Sequence, residues 1–354
     1  MEIKVLFELY RARIPTILWG SPGVGKTAAV EALARRVGAE LICPHVRDAQ
    51  DLAVPVPRGD RLELLPAQEF ARAADLAAQG REVIVFVDEL TTLRPAAQAA
   101  ALRYLDSGRV GDLRLSHSVW RVAAANPPDL AAGGHELEAP TANRLAHVHV
   151  TVDAGEWAGE FARYWGDPPS LPGIEPSAWG QARGLVAGFI RRHPDLLLRV
   201  PDDPVARGGP WPSPRTWDYV SRVLAVAAVA DAYEAVAGLV GEAAAKQFLA
   251  WVREAQLPVP EDLLSDPQLL SELRPDLQWA ALAATAAHVE GRIQDPETVR
   301  RAWGLARHAA GVCRDIAAGT LVRSLCRAYR DGRLARLDAE AMEPYQALVR
   351  EAQR

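Results

Sequence analysis

Gly20-Ser21-Pro22-Gly23-Val24-Gly25-Lys26-Thr27 is the stretch that decides the fold of this chain. It fits the pattern G-x-x-x-x-G-K-[S/T], and it lies between an apolar run that ends at Trp19 and a helical pattern that begins at Thr27. Glycines allow successive backbone N–H groups to point at phosphate oxygens, and the N-terminus of the following helix adds the positive end of its dipole. We therefore predict a phosphate-binding loop. In it, Lys26 reaches the β- and γ-phosphates of a nucleoside triphosphate, and Thr27 offers its hydroxyl to Mg²⁺.

The sequence around this loop alternates between strand-like and helical patterns as far as about residue 150. Such alternation indicates an α/β fold, a parallel sheet with helices on both faces. The predicted strands are residues 14–19, 83–87, 120–125 and 146–151, and the clearest predicted helices are 27–37 and 96–106. Two inserts interrupt the pattern and predict hairpins. The first, residues 52–65, turns at Arg58-Gly59-Asp60, and the second, residues 110–119, turns at Gly111-Asp112.

Beyond about residue 155 the pattern becomes helical, with proline-rich connectors at 167–176 and 194–214. We expect helices near 177–193, 214–230 and 241–255, and a further boundary in the proline-containing segment 257–260. Three domains are therefore predicted: an α/β nucleotide-binding domain (1–155), an α-helical domain (156–257) and a helical C-terminal extension (258–354). The extension carries no chemical motif.

Polar residues follow two of the predicted strands. Asp88 and Glu89 come directly after the unbroken apolar run 83–87, and Asn126 follows the run 120–125. An acid at the carboxyl end of a strand can hold the Mg²⁺ shell, which assigns that role to Asp88. The neighbouring carboxylate, Glu89, can orient and deprotonate the attacking water. Asn126 would position that water together with Glu89, although an Asn before proline is, taken alone, more often part of a turn.

Two arginines are candidates for contact with the γ-phosphate. Arg144 lies just before the last predicted strand, and an arginine supplied to another molecule's γ-phosphate can raise the rate by about 10³–10⁵. Arg215 falls in the first turn of a predicted helix, because Ser213 suits the N-cap and Pro214 the first helical position. For each, the alternative is an ordinary surface arginine.

Composition narrows the class of protein. The net charge of −5 and the pI near 6.0 disfavour nucleic-acid binding through a basic surface, but they leave a local pore or groove open. The N-terminal residues lack the apolar core of a signal peptide, and the most apolar helical stretch, 223–230, is too short to span a bilayer. We therefore expect a cytoplasmic protein without membrane insertion. His147 and His149 alternate along one strand, but no cysteine or carboxylate completes a metal site there.

With these pieces in order, the sequence resembles the AAA+ ATPases and, within them, the MoxR-like family. The match runs from about residue 14 to about 255. Gly20–Thr27 corresponds to Walker A, Asp88-Glu89 to Walker B and Asn126 to sensor 1. Arg144 corresponds to the arginine finger and Arg215 to sensor 2. The segments 51–65 and 109–119 resemble the helix-2 insert and the pre-sensor-1 hairpin of this family. One departure is Asn143, where the family often has an acidic residue before the finger arginine.

The resemblance implies a ring, usually a hexamer, that binds ATP and Mg²⁺ between neighbouring subunits, with residues 156–257 as an α-helical lid. It also implies chaperone-like remodelling or activation of a protein partner, often one with a von Willebrand factor A domain. The arginine argument by itself favours assembly, since a residue that acts on another subunit requires a neighbour.

Three other interpretations remain open from the sequence. One is a nucleotide-gated switch or scaffold that hydrolyses slowly and recruits a partner. Another is a GTP-driven or DNA-linked motor of the same broad group, since nothing in the glycine loop selects adenine over guanine. A P-loop kinase is the third, but it does not need Asn126 and Arg215 in this order.

Overall fold

The computed structural model describes residues 3–127, 130, 137, 142–162, 171–255 and 257–346. Parts of the predicted connector 167–176 and of the turn before Arg144 lie outside these residues. The chain divides into two compact units, Met1–Thr151 and Val152–Arg354.

The first unit is built on a parallel sheet. Its strands are β1 (Thr16–Trp19), β2 (Glu40–Ile42), β3 (Ala53–Arg58), β4 (Arg61–Pro66), β5 (Val83–Val87), β6 (Arg109–Val110), β7 (Leu113–Arg114), β8 (Val119–Ala125) and β9 (Ala146–His149). Five of them form one sheet in the order β2-β5-β8-β1-β9, and each neighbouring pair is parallel. β5 is buried along its whole length, as expected for the continuous apolar sequence of an interior parallel strand.

Helices cover both faces of this sheet. They are α1 (Ile3–Arg11), α2 (Lys26–Val37), α3 (Gln68–Ala78) and α4 (Pro95–Ser107). Tyr10 of α1 makes an edge-to-face contact with the fully buried Trp120 of β8. On the opposite face Tyr104 of α4 donates a hydrogen bond of 3.0 Å to the carbonyl of Val85. The predicted α/β fold with helices on both faces is confirmed.

Both predicted hairpins form, and the second is shorter than predicted. β3 pairs with β4 over six residues, whereas β6 and β7 pair over only two, around the turn at Gly111-Asp112. Beyond these strands the N–H of Leu115 still donates to the carbonyl of Gly108 (2.9 Å), while the side chain of Leu115 is buried in the core. The predicted hairpin over 110–119 is therefore wrong beyond Leu115, and Val119 already belongs to β8.

The second unit is helical. Its helices are α5 (Ala154–Ala162), α6 (Pro176–Arg192), α7 (Pro214–Val226), α8 (Tyr233–Val240), α9 (Glu242–Glu254), α10 (Pro260–Ser265), α11 (Pro275–Gly291), α12 (Pro296–Val312), α13 (Arg314–Ala317), α14 (Arg323–Arg330) and α15 (Ala339–Met342). A π-helical turn, Ala318–Val322, joins α13 to α14. The helix predicted over 214–230 ends at Val226, because Ala227 takes an extended conformation. No helix in the described part of the chain is long and apolar enough to cross a bilayer.

Close packing of α6 against α11 joins the two halves of this unit. Gly180, Gly184 and Gly188 are spaced by four residues and so share one face of α6. A Cβ atom on Gly184 would lie 2.9 Å from the carbonyl oxygen of Ala280, and one on Gly180 would lie 2.3 Å from the Cβ of Ala287. The helices thus approach to a distance that only glycine permits, and the C-terminal segment packs directly on the helices that precede it in sequence.

Candidate nucleotide-binding site

The carboxyl ends of three neighbouring strands bring the predicted site residues together. Trp19 is in register with Ala125, and Val87 with Ala123. Gly20, Asp88 and Asn126, which follow these strands, therefore lie at the same edge of the sheet. In open parallel sheets this edge is where ligands bind.

The loop Gly20–Thr27 needs its glycines for two different reasons. Gly20 donates a hydrogen bond of 3.3 Å to the carbonyl of Ala125, and a Cβ atom on it would lie only 2.9 Å from the carbonyl oxygen of Val150. Gly25 is the N-cap of α2 and has a φ of 107°, a conformation that side chains rarely adopt. The first glycine serves close packing, whereas the second turns the chain into the helix.

Lys26 is the charged residue of the loop, and it is buried, with 8% of its surface exposed. Its Nζ donates to the carbonyl oxygens of Gly20 (2.8 Å) and Ser21 (3.2 Å) and to Oδ1 of Asn126 (2.7 Å). A buried ammonium group is costly unless its donors are satisfied, and these oxygens satisfy it. The ammonium is held where the loop closes on itself, directly beside the amide of Asn126.

Thr27 and Asp88 offer adjacent oxygen atoms. The hydroxyl of Thr27 donates a hydrogen bond of 2.9 Å to Oδ2 of Asp88. Hydroxyl and carboxylate oxygens are ligands that Mg²⁺ accepts, and this ion usually takes its remaining ligands from water and substrate phosphates. Within the described residues no group of three or more His, Cys, Asp and Glu side chains is placed to hold a metal. The pair therefore fits a magnesium ion shared with phosphate oxygens.

Glu89 has an unusual backbone conformation. Its φ of 56° and ψ of 36° are left-handed, although it is not a glycine. Its N–H donates to Oδ1 of Asp88 (2.8 Å), and its carbonyl accepts from the hydroxyl of Thr92 (2.8 Å). Such a conformation costs about 1–3 kcal/mol, and where it occurs it clusters at functional sites. The side chain of Glu89 is exposed at the edge of the sheet where β5 ends.

Asn126 connects the loop to the segment that follows Glu89. Its side chain accepts from Lys26, and its backbone carbonyl accepts a hydrogen bond of 3.2 Å from the hydroxyl of Thr91. Thr91 is fully buried. The sequence drew attention to Asn126 but not to this role of Thr91, because a threonine after two acids carries no signal of a contact 35 residues away.

Arg144 lies apart from this cluster. Its Nη1 is 2.9 Å from Oδ2 of Asp106 near the end of α4, and the two side chains are 60% and 40% exposed. An exposed pair of this kind is worth about 0–1 kcal/mol, so the arginine can leave it at little cost. Within the described residues Arg144 makes no hydrogen bond to the loop or to Asp88 and Glu89.

Arg215 lies at the N-terminus of α7 in the second unit. Ser213 is the N-cap and exchanges hydrogen bonds with Thr216, with Pro214 in the first helical position, as predicted. Arg215 is exposed, and no hydrogen bond or ion pair to it is found among the residues that the structure describes.

Comparison with known families gives the domain its class. Residues 16–131 match the sequence profile of the family described as "ATPase family associated with various cellular activities (AAA)". This segment is an AAA ATPase-family domain. It contains the glycine loop, Asp88, Glu89 and Asn126, whereas Arg144 and Arg215 lie outside it.

Curated relatives match part of the chain. The chaperone protein ClpB of Mycobacterium tuberculosis is 32% identical over 159 residues, which cover 42% of this chain and 18% of ClpB. ClpB of Aquifex aeolicus is 27% identical over 223 residues, covering 58% of this chain and 21% of the relative. The cell division control protein 48 homolog B of Arabidopsis thaliana is 27% identical over 118 residues, covering 33% and 17%. The matched part thus spans less than a quarter of each of these proteins.

Solved structures resemble the chain only loosely. A mutant of RuvB from Thermotoga maritima aligns over 85% of this chain and 86% of its own, with 15% identity and a TM-score of 0.37. PCH-2 of C. elegans aligns over 82% and 68%, with 14% identity and a TM-score of 0.32.

Proposed function

We propose that this protein is a ring-forming ATPase of the MoxR-like kind, which couples ATP hydrolysis to chaperone-like remodelling or activation of a protein partner. The observation that carries the proposal is the contact of Lys26 with Asn126, beside the Thr27–Asp88 pair. A loop that only bound phosphate would not need an amide at the end of a separate strand. That arrangement suits a site that binds a triphosphate and also positions water.

Each residue of the cluster has a role in this proposal. Lys26 binds the β- and γ-phosphates, while Thr27 and Asp88 hold the metal. Mg²⁺, when bound, neutralises charge on the β- and γ-phosphate oxygens. Glu89 accepts a proton from the attacking water, since its exposed side chain follows the end of β5 directly. Asn126 orients the same water.

The remaining arginines act at the boundary of the site. Arg144 is mostly exposed and weakly paired, as suits a residue that enters a neighbouring subunit and stabilises transition-state charge there. Arg215, at the start of α7, reads the γ-phosphate and moves the lid formed by residues 156–257. Residues 258–354 extend that lid. Since Arg144 acts on a neighbour, the active form is an oligomer, and the resemblance favours a hexamer.

The inserted hairpins carry the motion to a partner. Asp112 in the turn between β6 and β7 donates its N–H to the carbonyl of Leu64 (2.9 Å) and accepts from the N–H of Leu64 (2.8 Å). The two hairpins therefore move together. Leu62 on β4 is 70% exposed and offers an apolar contact. The partner is a protein in the cytoplasm, and one with a von Willebrand factor A domain is our first candidate. The chaperone names of the ClpB relatives favour the same class of activity.

One observation favours a second candidate, a slow nucleotide-gated switch. Arg144 is paired with Asp106 of its own subunit. In a switch, a subunit would bind ATP without hydrolysis while Arg144 stays on Asp106 and does not reach the neighbouring site. Turnover with and without a partner separates the two candidates, because a motor cycles continuously and a switch turns over once per encounter.

Mixing two inactive variants tests the proposed function. Glu89→Gln removes the base, and Arg144→Ala removes the arginine, so each should lower turnover at least about 100-fold when alone. In a mixture, an interface between the two variants takes its glutamate from one subunit and its arginine from the other. Phosphate release should therefore recover on mixing. Full turnover by Glu89→Gln alone would exclude Glu89 as the base. If phosphate release does not recover on mixing, Arg144 does not act on a neighbour.

A further inference from the structure

The side chain of Trp19 makes a contact that the nucleotide site does not need. Trp19 is the last residue of β1 and precedes Gly20 directly. Its indole Nε1 donates a hydrogen bond of 2.9 Å to Nδ1 of His147 on β9. The two rings lie with their planes 20° apart and their centroids 5.9 Å apart.

The second ring nitrogen of His147 continues this contact. Nε2 lies 2.8 Å from the carbonyl oxygen of Ala142. Since Trp19 can only donate, Nδ1 of His147 must accept, and Nε2 then carries the proton and donates to Ala142. A single neutral tautomer makes both bonds. A doubly protonated ring would instead place two donors against each other.

Ala142 belongs to the turn that carries Arg144. Its carbonyl also accepts from the N–H of Leu145 (3.3 Å), which closes the turn, and the side chain of Leu145 is buried in the core. At its other end the turn is held by the exposed pair of Arg144 with Asp106. His147 is thus one of the groups that fix the position of Arg144 within its own subunit.

We propose that Trp19 and His147 form a positioning relay, which links the nucleotide loop of a subunit to the arginine that the same subunit offers its neighbour. The proposal rests on the function proposed above for Arg144. Within the described residues neither side chain hydrogen-bonds to Lys26, Thr27 or Asp88, so both act through other groups.

The contact between Lys26 and Gly20 is where nucleotide binding would act on the relay. The carbonyl of Gly20 accepts from Lys26, and Gly20 follows Trp19 immediately. When Lys26 turns to phosphate, the peptide that joins Gly20 to Ser21 loses this bond and can adjust. Trp19, which precedes Gly20, is joined to the neighbouring strand in two ways: its carbonyl accepts from the N–H of Val150 (2.7 Å), and its indole donates to His147. A change at Gly20 can therefore reach the strand of His147 through Trp19. Displacement of a catalytic group by about 1 Å can cost a factor of about 100 in rate, so a small shift is sufficient.

Three substitutions separate the two bonds of the relay, and a fourth serves as a control. Trp19→Phe and His147→Gln remove the first bond, the former by losing the donor and the latter by losing the acceptor at Nδ1. His147→Asn keeps an acceptor near Nδ1 but cannot reach Ala142. His149→Gln is the matched control, because His149 lies two residues along β9, is also exposed, and makes no side-chain hydrogen bond within the described residues.

We expect a division between binding and turnover in the full-length protein. Each relay variant should bind a fluorescent ATP analogue within about twofold of the wild type, while turnover of the assembled protein falls about tenfold. His149→Gln should change neither quantity. The double variant Trp19→Phe/His147→Asn should be no slower than either single one, because both interrupt the same relay. Additive losses, or losses that the control shares, would overturn the relay.

The mixing assay decides in which subunit His147 acts. In that assay the Glu89→Gln subunit donates Arg144, and the Arg144→Ala subunit hydrolyses. His147→Asn should slow the mixture about tenfold in the donating subunit and leave it unchanged in the hydrolysing one. Equal effects in both subunits, or none in the donor, would overturn the relay while leaving the proposed function intact. If the mixture shows no recovery at all, the action of Arg144 on a neighbour is wrong, and the relay is wrong with it.

Discussion

Glu89, the proposed base, has a backbone conformation that opposes its residue type. Within the described chain only Arg13 and Glu89 have positive φ without being glycine. The hydrogen bonds of Glu89 to Asp88 and Thr92 hold this conformation in place. The left-handed backbone costs free energy, and the exposed side chain of Glu89 does not offset that cost by packing.

We predict that Glu89→Gly will be more stable than Glu89→Ala by about 1 kcal/mol, because alanine keeps the left-handed cost and glycine does not. At an ordinary helical position the order would be reversed. Urea denaturation of the two full-length variants measures the difference in the free energy of unfolding. Equal stability, or a more stable alanine variant, would mean that residue 89 is not left-handed in solution.

The hydroxyl of Thr27 gives a second prediction at the residue scale. Thr27→Val preserves the shape of the side chain but loses the oxygen that lies beside Asp88. We expect the affinity for ATP in the presence of Mg²⁺ to fall about tenfold or more, because a hydrogen bond or ligand to a charged group contributes about 1.5–3 kcal/mol. Affinity measured in EDTA should not change. Thr27→Ser is the control and should restore the magnesium effect; if it does not, the hydroxyl has another role.

At the scale of elements, Gly111 determines whether the two hairpins stay together. It has a φ of 59°, and a Cβ atom on it would lie 2.3 Å from the carbonyl oxygen of Leu64 and 2.8 Å from the Cβ of Ala53. We predict that Gly111→Ala breaks the pair of bonds between Leu64 and Asp112. At about 1 kcal/mol for each bond, amide hydrogen exchange over Arg61–Pro66 should become about tenfold faster or more.

Gly59→Ala is the matched control for this experiment. Gly59 also has a left-handed φ, of 65°, but no atom lies within 4 Å of the Cβ position. Exchange over Arg61–Pro66 that accelerates equally in both variants would show that backbone strain, not separation of the hairpins, is the cause.

The contact of α6 with α11 gives the second prediction for elements. A Cβ atom at Gly184 would meet the backbone of α11, at 2.9 Å from the carbonyl oxygen of Ala280 and 3.3 Å from the nitrogen of Ala284. Gly184→Ala should therefore destabilise the protein by about 1–3 kcal/mol, as overpacking does. Gly238→Ala, in the exposed part of α8, should stabilise it by about 0.5–1 kcal/mol, since nothing lies near its Cβ position. Thermal unfolding of both variants checks the two signs, and a stabilising Gly184→Ala would contradict the close contact.

For the whole molecule, the prediction concerns assembly. Glu89→Gln should retain ATP, because the groups that hold phosphate and metal are untouched, and bound ATP keeps Arg144 engaged across the interface. We expect this variant to accumulate as a stable ring with ATP at micromolar concentration, and to be smaller without nucleotide. Light scattering coupled to size-exclusion chromatography gives the subunit number. A Glu89→Gln protein that stays monomeric with ATP would contradict the proposed ring.

Some helices and strands were predicted from the sequence at their observed bounds, and others were missed. The strand Val83–Val87 was predicted at its observed bounds, because only an interior parallel strand is apolar throughout and ends in two acids. The helix start at Pro214 was also correct, since proline at the first helical position is a local signal. The strand Glu40–Ile42 and the helices Ala154–Ala162 and Tyr233–Val240 were missed, because short elements carry too few residues to establish a period.

The sequence by itself determined the α/β class and the positions of the glycine loop, the two acids and the amide at the strand ends. These depend on local pattern and on the geometry of parallel strands. The contact of Lys26 with Asn126, the joined hairpins and the bonds from Trp19 through His147 to Ala142 were decided only by the tertiary structure. Each of these joins residues far apart in the chain by one or two hydrogen bonds. No periodicity or spacing encodes such a bond, because the partner is chosen by the packing of whole elements.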